Sequence, residues 1–478
     1  MKKFFFKLHR KLSLFLALPV LLWALSGLLH PFMANWMRPT IANKFLPPTP
    51  LVAEASVLSP ADALKDSPEL HQLNLIKLDD KLVYRSVTPD QQLHFNDAAT
   101  GEILPEATNK LSEQLARAYL DDQDSPLVSI TRIDSFGENY SYINRLLPAY
   151  RVKLDRADGM EVVVDPRTGK LATFDSPSKR LFQKLFSWFH TWSFLGSRES
   201  VLRITVVFIL SVLTFITGLT GIVTLFTLKS KRKDGTKRKL PLRRKLHRAL
   251  GAVSAIFFLM FSISAIYHIV AKFNYDDSTQ WNSKQVIQTA SLTKSPHEIL
   301  STSKAPVSAI SLAKVDEQTF YRLAVMNRKQ RGLTSYVHAR DLSSLENGDE
   351  KYAIELATEF SGYSPDSVKD TELITKFRSD YGFIFKRLPV VKVNYADQEY
   401  WHYTVDTANA HMAQRTSAAG LVEALSFINL HKFHFLDPIS KDLRDYVTAI
   451  AVILIALLVL LGSSLLLKKK KKKKRHEN

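Results

Sequence analysis

Polar and apolar positions follow two length scales along this chain. Four runs, residues 12–33, 204–228, 250–271 and 447–467, are almost free of charge, each close to the ~20 residues a helix needs to cross a bilayer core. Two long polar regions, 35–200 and 272–443, separate the first run from the second and the third from the fourth. Within the first region, TRIDSF and PAYRVKLDRADGMEVVVDPRTGKLATF alternate with strand period, with turns at Ala157-Asp158-Gly159 and Asp165-Pro166-Arg167-Thr168-Gly169. Upstream, residues 106–119 place apolar side chains at helical spacing. The pattern predicts a membrane α-helical protein of four transmembrane helices with two α+β domains outside the bilayer.

The pattern also repeats. His9 and His247 are 238 positions apart, as are His30 and His268. Further on the offset is 241: Pro148 matches Pro389, Asp165 matches Asp406, His190 matches His431, Arg203 matches Arg444 and Gly221 matches Gly462. Such self-similarity predicts a tandem duplication of one helix, outer domain and helix unit. Each unit has two spans, so both copies enter the membrane in one direction and are related by a pseudo-two-fold axis along its normal. The second copy keeps LPVVKVNYADQEYWHYTVDTANAH, but Ala410 stands where the first has Gly169.

Charge then orients the helices. Residues 1–11, the 229–248 loop and the tail after Leu467 hold nearly all the excess positive charge, while the two long regions are slightly acidic. Lys and Arg are retained in short cytoplasmic segments, so both termini and the middle loop are expected inside and the long regions outside. This distribution argues against a nucleic-acid partner, and the run Lys468 to Lys474 reads as a stop anchor touching anionic lipid. The expected organisation is: 1–34, amino terminus and first span; 35–200, first outer domain with an interfacial helix; 201–228, second span; 229–248, basic loop; 249–271, third span; 272–443, second outer domain; 444–467, fourth span; 468–478, poly-Lys tail. The first run exceeds a signal-peptide core and reads as a retained helix. With no cysteine, disulfides, thiolate metal sites and iron–sulfur clusters are excluded. Walker, dinucleotide-binding, HExxH and GxSxG motifs do not occur.

The helix followed by a hairpin whose second turn reads VDPRTGK resembles the PepSY domain. With LHRKLSLFLAL, FSWFHTWSFLG, the basic loop and KLHRALGAVSA, the chain resembles the PepSY-associated transmembrane family over nearly its whole length. That resemblance implies PepSY-like periplasmic domains on a multi-pass protein of the bacterial inner membrane, associated with iron uptake. It further implies a b-type haem reductase, with two haems, that releases iron from a ferric siderophore. The inner loops are too short to hold a flavin or nicotinamide domain, so electrons would come from quinol or a separate cytoplasmic donor.

Histidines are the candidate haem ligands. The 21 residues between His9 and His30 span roughly 31 Å of helix, and three heptads keep both on nearly one face. Across the pseudo-two-fold axis His9 faces His247 at the inner side and His30 faces His268 at the outer side, with Ser26, Gly27, Ser264 and Ala265 leaving room for a flat macrocycle. His190, among Trp188, Phe189 and Trp192, and its match His431 could serve in place of, or crosswise with, His30 and His268. Which four of the six are used stays open, and His434 is a further candidate metal ligand. Arg203 and Arg444 either snorkel to headgroups or neutralise haem propionates, and Asp165 and Asp406 support hairpin turns. Two other classes compete: a non-enzymatic anchor whose domains bind peptides or restrain a protease, and a transporter of iron or its chelate.

Overall fold

The computed structural model describes residues 2–227, 240–273, 281–396 and 399–474. Most of the basic loop, residues 228–239, and the end of the tail, residues 475–478, lie outside the described residues, as do the side chains of the lysine run. The helices run α1 (Lys2–Gly27), α2 (Ala107–Leu120), α3 (Pro177–Phe189), α4 (Val201–Thr227), α5 (Leu242–Phe273), α6 (Pro296–Ser301), α7 (Gly348–Ser361), α8 (Ala418–Leu430) and α9 (Lys441–Lys474). Contacts divide the chain into a helical unit (residues 1–39, 177–276 and 422–478) and an α+β unit (residues 40–176 and 277–421).

In the helical unit α1, α4, α5 and α9 are long and apolar enough to cross a membrane. They form a ring: α1 and α5 each pack against both α4 and α9, and lie across the diagonal from one another. Large apolar side chains such as Phe15, Leu18, Ile256, Ile453 and Leu457 point outward, the arrangement favoured where the solvent is lipid. The interior is uneven. Leu16, Val20, Ala24, Val452, Ile455 and Ala456 fill the α1 and α9 side, whereas α4 buries Ser211, Thr214, Thr217 and Thr220, and α5 buries Ser254, Ser262 and Ser264. Most of these hydroxyls donate to a carbonyl one turn back, as Ser211 does to Val207 at 2.8 Å and Ser254 to Leu250 at 2.6 Å; small polar residues of this kind allow close helix approach in lipid. After Gly27, α1 continues through a short turn at Leu29–Pro31 into a π-turn at Phe32–Trp36.

The strands of the α+β unit are β1 (Gln72–Leu78), β2 (Lys81–Val87), β3 (Leu93–Asp97), β4 (Leu127–Ile133), β5 (Ala149–Leu154), β6 (Glu161–Asp165), β7 (Lys170–Asp175), β8 (Trp281–Asn282), β9 (Val307–Val315), β10 (Gln318–Val325), β11 (Thr334–His338), β12 (Val368–Ile374), β13 (Val390–Tyr395), β14 (His402–Asp406) and β15 (His411–Thr416). One sheet, β4-β5-β6-β7, carries the hairpins expected from the first polar region, and a second, β12-β13-β14-β15-β8, holds their matches. Helix α2 lays Leu111, Leu115 and Ala116 on the first sheet, and α7 lays Tyr352, Leu356 and Ala357 on the second, with the same spacing. A third sheet joins the two polar regions: β3-β2-β1 meets β9-β10-β11 through β1 and β9, where Leu75 pairs with Ile310 and Asn74 with Ser311.

The turn after β14 survives the loss of glycine. Gly169 has φ +69, and Ala410 takes up nearly the same left-handed conformation at φ +47, which costs a side chain roughly 1–2 kcal/mol. Burial of Ala410 in the core beside Tyr403 and Met412 offsets part of that cost.

Candidate functional site

His9, on the first turns of α1, meets α4. Its Nδ1 lies 3.1 Å from the Thr217 carbonyl oxygen; a carbonyl only accepts, so His9 donates its Nδ1–H and keeps the Nε2 lone pair free. One turn on, Gly221 leaves room for the ring, for a Cβ there would stand 3.0 Å from His9 Cε1. The arrangement recurs on the other diagonal helix: a Cβ at Gly462 of α9 would stand 3.0 Å from His247 Cε1 of α5. His247 Nδ1 is enclosed, and the backbone it faces is Leu458, which matches Thr217 at the repeat offset of 241. Both histidines lie near the amino ends of their helices.

At the opposite ends of α1 and α5 four histidines gather. His190, just past α3, and His431, just past α8, bring their ring centroids to 6.1 Å with planes nearly perpendicular. Ser26 donates its hydroxyl to Leu22 O at 2.6 Å and lies 3.3 Å from His190 Nδ1; Ser264 donates to Phe261 O and lies 3.0 Å from His431 Nδ1. With each hydroxyl proton already used, the serines accept from Nδ1–H, and both Nε2 atoms are again left free. Phe186 stacks on His190 at 4.5 Å and stands 6.4 Å from His30. Phe427 does the same in the other half, stacked on His431 at 4.9 Å and on His268 at 4.3 Å. His268 Nδ1 bonds to the Glu423 carboxylate, of which only 4% is exposed. Trp23 Nε1 donates to the His190 carbonyl at 3.0 Å. Loss of hydration in this stack pushes His190 down to about 4 and His431 well below the ordinary histidine value, so both rings are neutral at physiological pH.

The six histidines therefore fall into two groups, His9 with His247, and His30 with His190, His268 and His431. His434 does not join them: its Nδ1 bonds to Asp437 Oδ2 at 2.7 Å, partly exposed. Among the described residues no cluster of three or more His, Asp or Glu side chains is built to hold a bare metal ion. Arg203 donates to Thr191 O at 2.7 Å, and Arg444 pairs with Asp437 and Asp445 at 2.8 Å, so each clamps the turn that follows its histidine. Asp165 accepts from Arg167 N and the Thr168 hydroxyl in its turn, as expected; Asp406 additionally pairs with Arg387 at 2.9 Å inside the protein. Sequence reasoning missed Glu423, although its signal was present: it is the lone charge in the apolar segment AAGLVEALSFINL. The spacers Phe186 and Phe427 also stood in plain view, 241 apart.

Four membrane-length helices enclosing two groups of histidines, in a chain that also carries an α+β unit, define a multi-pass integral-membrane protein. The chain belongs to the PepSY-associated TM region family, whose model matches residues 6–342. The match runs from α1 through β11 and leaves α7, α8 and α9 outside it. No curated protein matches the chain.

Proposed function

We propose that this protein is a b-type haem reductase of the bacterial inner membrane, passing electrons from quinol or a cytoplasmic donor to a ferric siderophore in the periplasm. Bound haem supplies one-electron redox chemistry at its iron. Two such groups are accommodated, one by His9 with His247 and one by two of His30, His190, His268 and His431. The observation that carries this reading is the hydrogen bonding of the rings: His9, His190, His268 and His431 each engage Nδ1 with a carbonyl, hydroxyl or carboxylate oxygen. Metal-ligating histidines are held in this way, which fixes the tautomer and raises the basicity of the free nitrogen. The glycine cradles at Gly221 and Gly462 add support at the other end.

The chain reads as two copies of one unit. Support comes from the paired contacts His9 with Gly221 and His247 with Gly462, and Ser26 with His190 and Ser264 with His431. The basic segments place both termini on the cytoplasmic side, and the PepSY-like α+β unit is then the periplasmic part that recognises the ferric complex. In the helical unit the protein's own work is to orient imidazoles, exclude water and keep the rings neutral.

An absorption spectrum of the detergent-purified full chain, before and after dithionite, tests the proposal. Sharp reduced bands of a bis-imidazole haem are expected, with about two haems per chain by pyridine haemochrome assay. A colourless protein that stays colourless after incubation with haemin would overturn it and leave the membrane-anchor reading.

A further inference from the structure

The two halves of the histidine stack share their histidines, the serines Ser26 and Ser264 and the rings Phe186 and Phe427; they differ at Trp23, matched by Phe261, and at one charged position. His268 in the second half is bonded to Glu423. The position equivalent to Glu423, 241 residues earlier, is Phe182, which packs at 6.4 Å from the Phe32 ring. A buried carboxylate is costly in such surroundings unless a partner stabilises it, so its presence in one half alone calls for a cause.

Compare what each ring receives. His190 and His431 give Nδ1–H to serine hydroxyls, which are neutral acceptors. His30 has the Phe186 ring 6.4 Å away. His268 alone faces a carboxylate, the acceptor that pushes most electron density onto the opposite ring nitrogen. The same bond, with the ring held against Phe427 at 4.3 Å, fixes which way Nε2 points.

We propose that Glu423 is a positioning residue: by holding the Nδ1 proton of His268 it makes His268 Nε2 the strongest donor of the four and selects it as an iron ligand, so that the two halves ligate unequally. This rests on the haem reading above. Its consequence is directional. An anionic second partner stabilises the ferric over the ferrous state, so Glu423 would lower the potential of the one group held at that end of the helical unit.

The test uses the full-length protein in detergent and the variants Glu423→Gln and Glu423→Phe, the second copying the first half's own side chain. In the haem-free protein, nitrogen-15 NMR with assignment by His268→Ala is expected to show His268 as the Nδ1–H tautomer, and Glu423→Gln to move its Nε2 resonance while His190 and His431 stay in place. In the haem-loaded protein, redox titration is expected to show one component moved to higher potential in both variants, with haem retention weakened about tenfold or more. Ser264→Ala should shift that component less. Unchanged potentials in both variants, or full haem content in His268→Ala, would overturn the proposal while leaving the haem reading intact. Absence of haem in every form would sink the haem reading, and the nitrogen resonances of the haem-free protein would still decide whether Glu423 sets the tautomer.

Discussion

Two glycines decide whether a histidine fits between helices at one end of the helical unit. Gly221 and Gly462 each sit where an added methyl would stand 3.0 Å from a histidine Cε1, a contact so tight that the ring must shift in a packed interior. Gly221→Ala is expected to tilt His9 and Gly462→Ala to tilt His247. Either variant should remove about half of the bound haem and leave the component at the other end, as read from the reduced spectrum. Equal loss of both components would show that the ends are not independent. Gly221 and Gly462 were visible in the sequence only as a matched pair; that each touches a histidine depends on the rotation of one helix against another, which no spacing within a single helix specifies.

Among the elements, hydrophobic period was the most informative signal. The four spans were legible because lipid imposes one requirement on every residue of a crossing helix, although the structured helices extend beyond the apolar runs: α5 begins at Leu242 and α9 reaches Lys474. The hairpins and α2 were equally legible, since alternation and turn chemistry are local. Residues 72–97 and 307–338 were not, and they form the sheet that ties the two polar regions together through Leu75 with Ile310. Caps follow local rules as well. Ser295 accepts from Glu298 N at 3.3 Å while Glu298 accepts from Ser295 N at 2.8 Å, a reciprocal box opening α6. Ser295→Ala should lower the stability of the α+β unit by about 1 kcal/mol, measured by chemical unfolding of the full chain, whereas Ser301→Ala at the far end of α6 should change it much less.

At the scale of the whole molecule, the α+β unit carries ion pairs that join residues distant in sequence. Arg387 and Asp406 are both buried and lie 2.9 Å apart. Burial opposes the charge on Asp406, but Arg387, Lys170 and Asn409 outweigh it and hold the carboxyl below its ordinary value. A depressed carboxyl contributes stability that is complete above the unfolded value near 3.9 and is lost as pH falls through the folded one. Asp406→Asn should therefore flatten the acid limb of a stability profile below about pH 4. Arg387→Met, which strands the carboxylate, should cost about 3–5 kcal/mol at neutral pH, and adding Asp406→Asn should recover part of it. Additive losses in the double variant would mean that the two groups are not coupled.

The sequence alone determined the four crossing segments, the two strand-rich regions, the recurrence of His9 at His247 and His30 at His268, and the sign of the charge on each short segment, because each follows from a local pattern or a count. Only the tertiary structure decided that His190 and His431 approach each other, that Ser26 and Ser264 hold their protons, and that Glu423 faces His268. Those contacts join residues more than 150 positions apart. They arise from how helices pack side by side, where neighbouring in space has no counterpart in neighbouring along the chain.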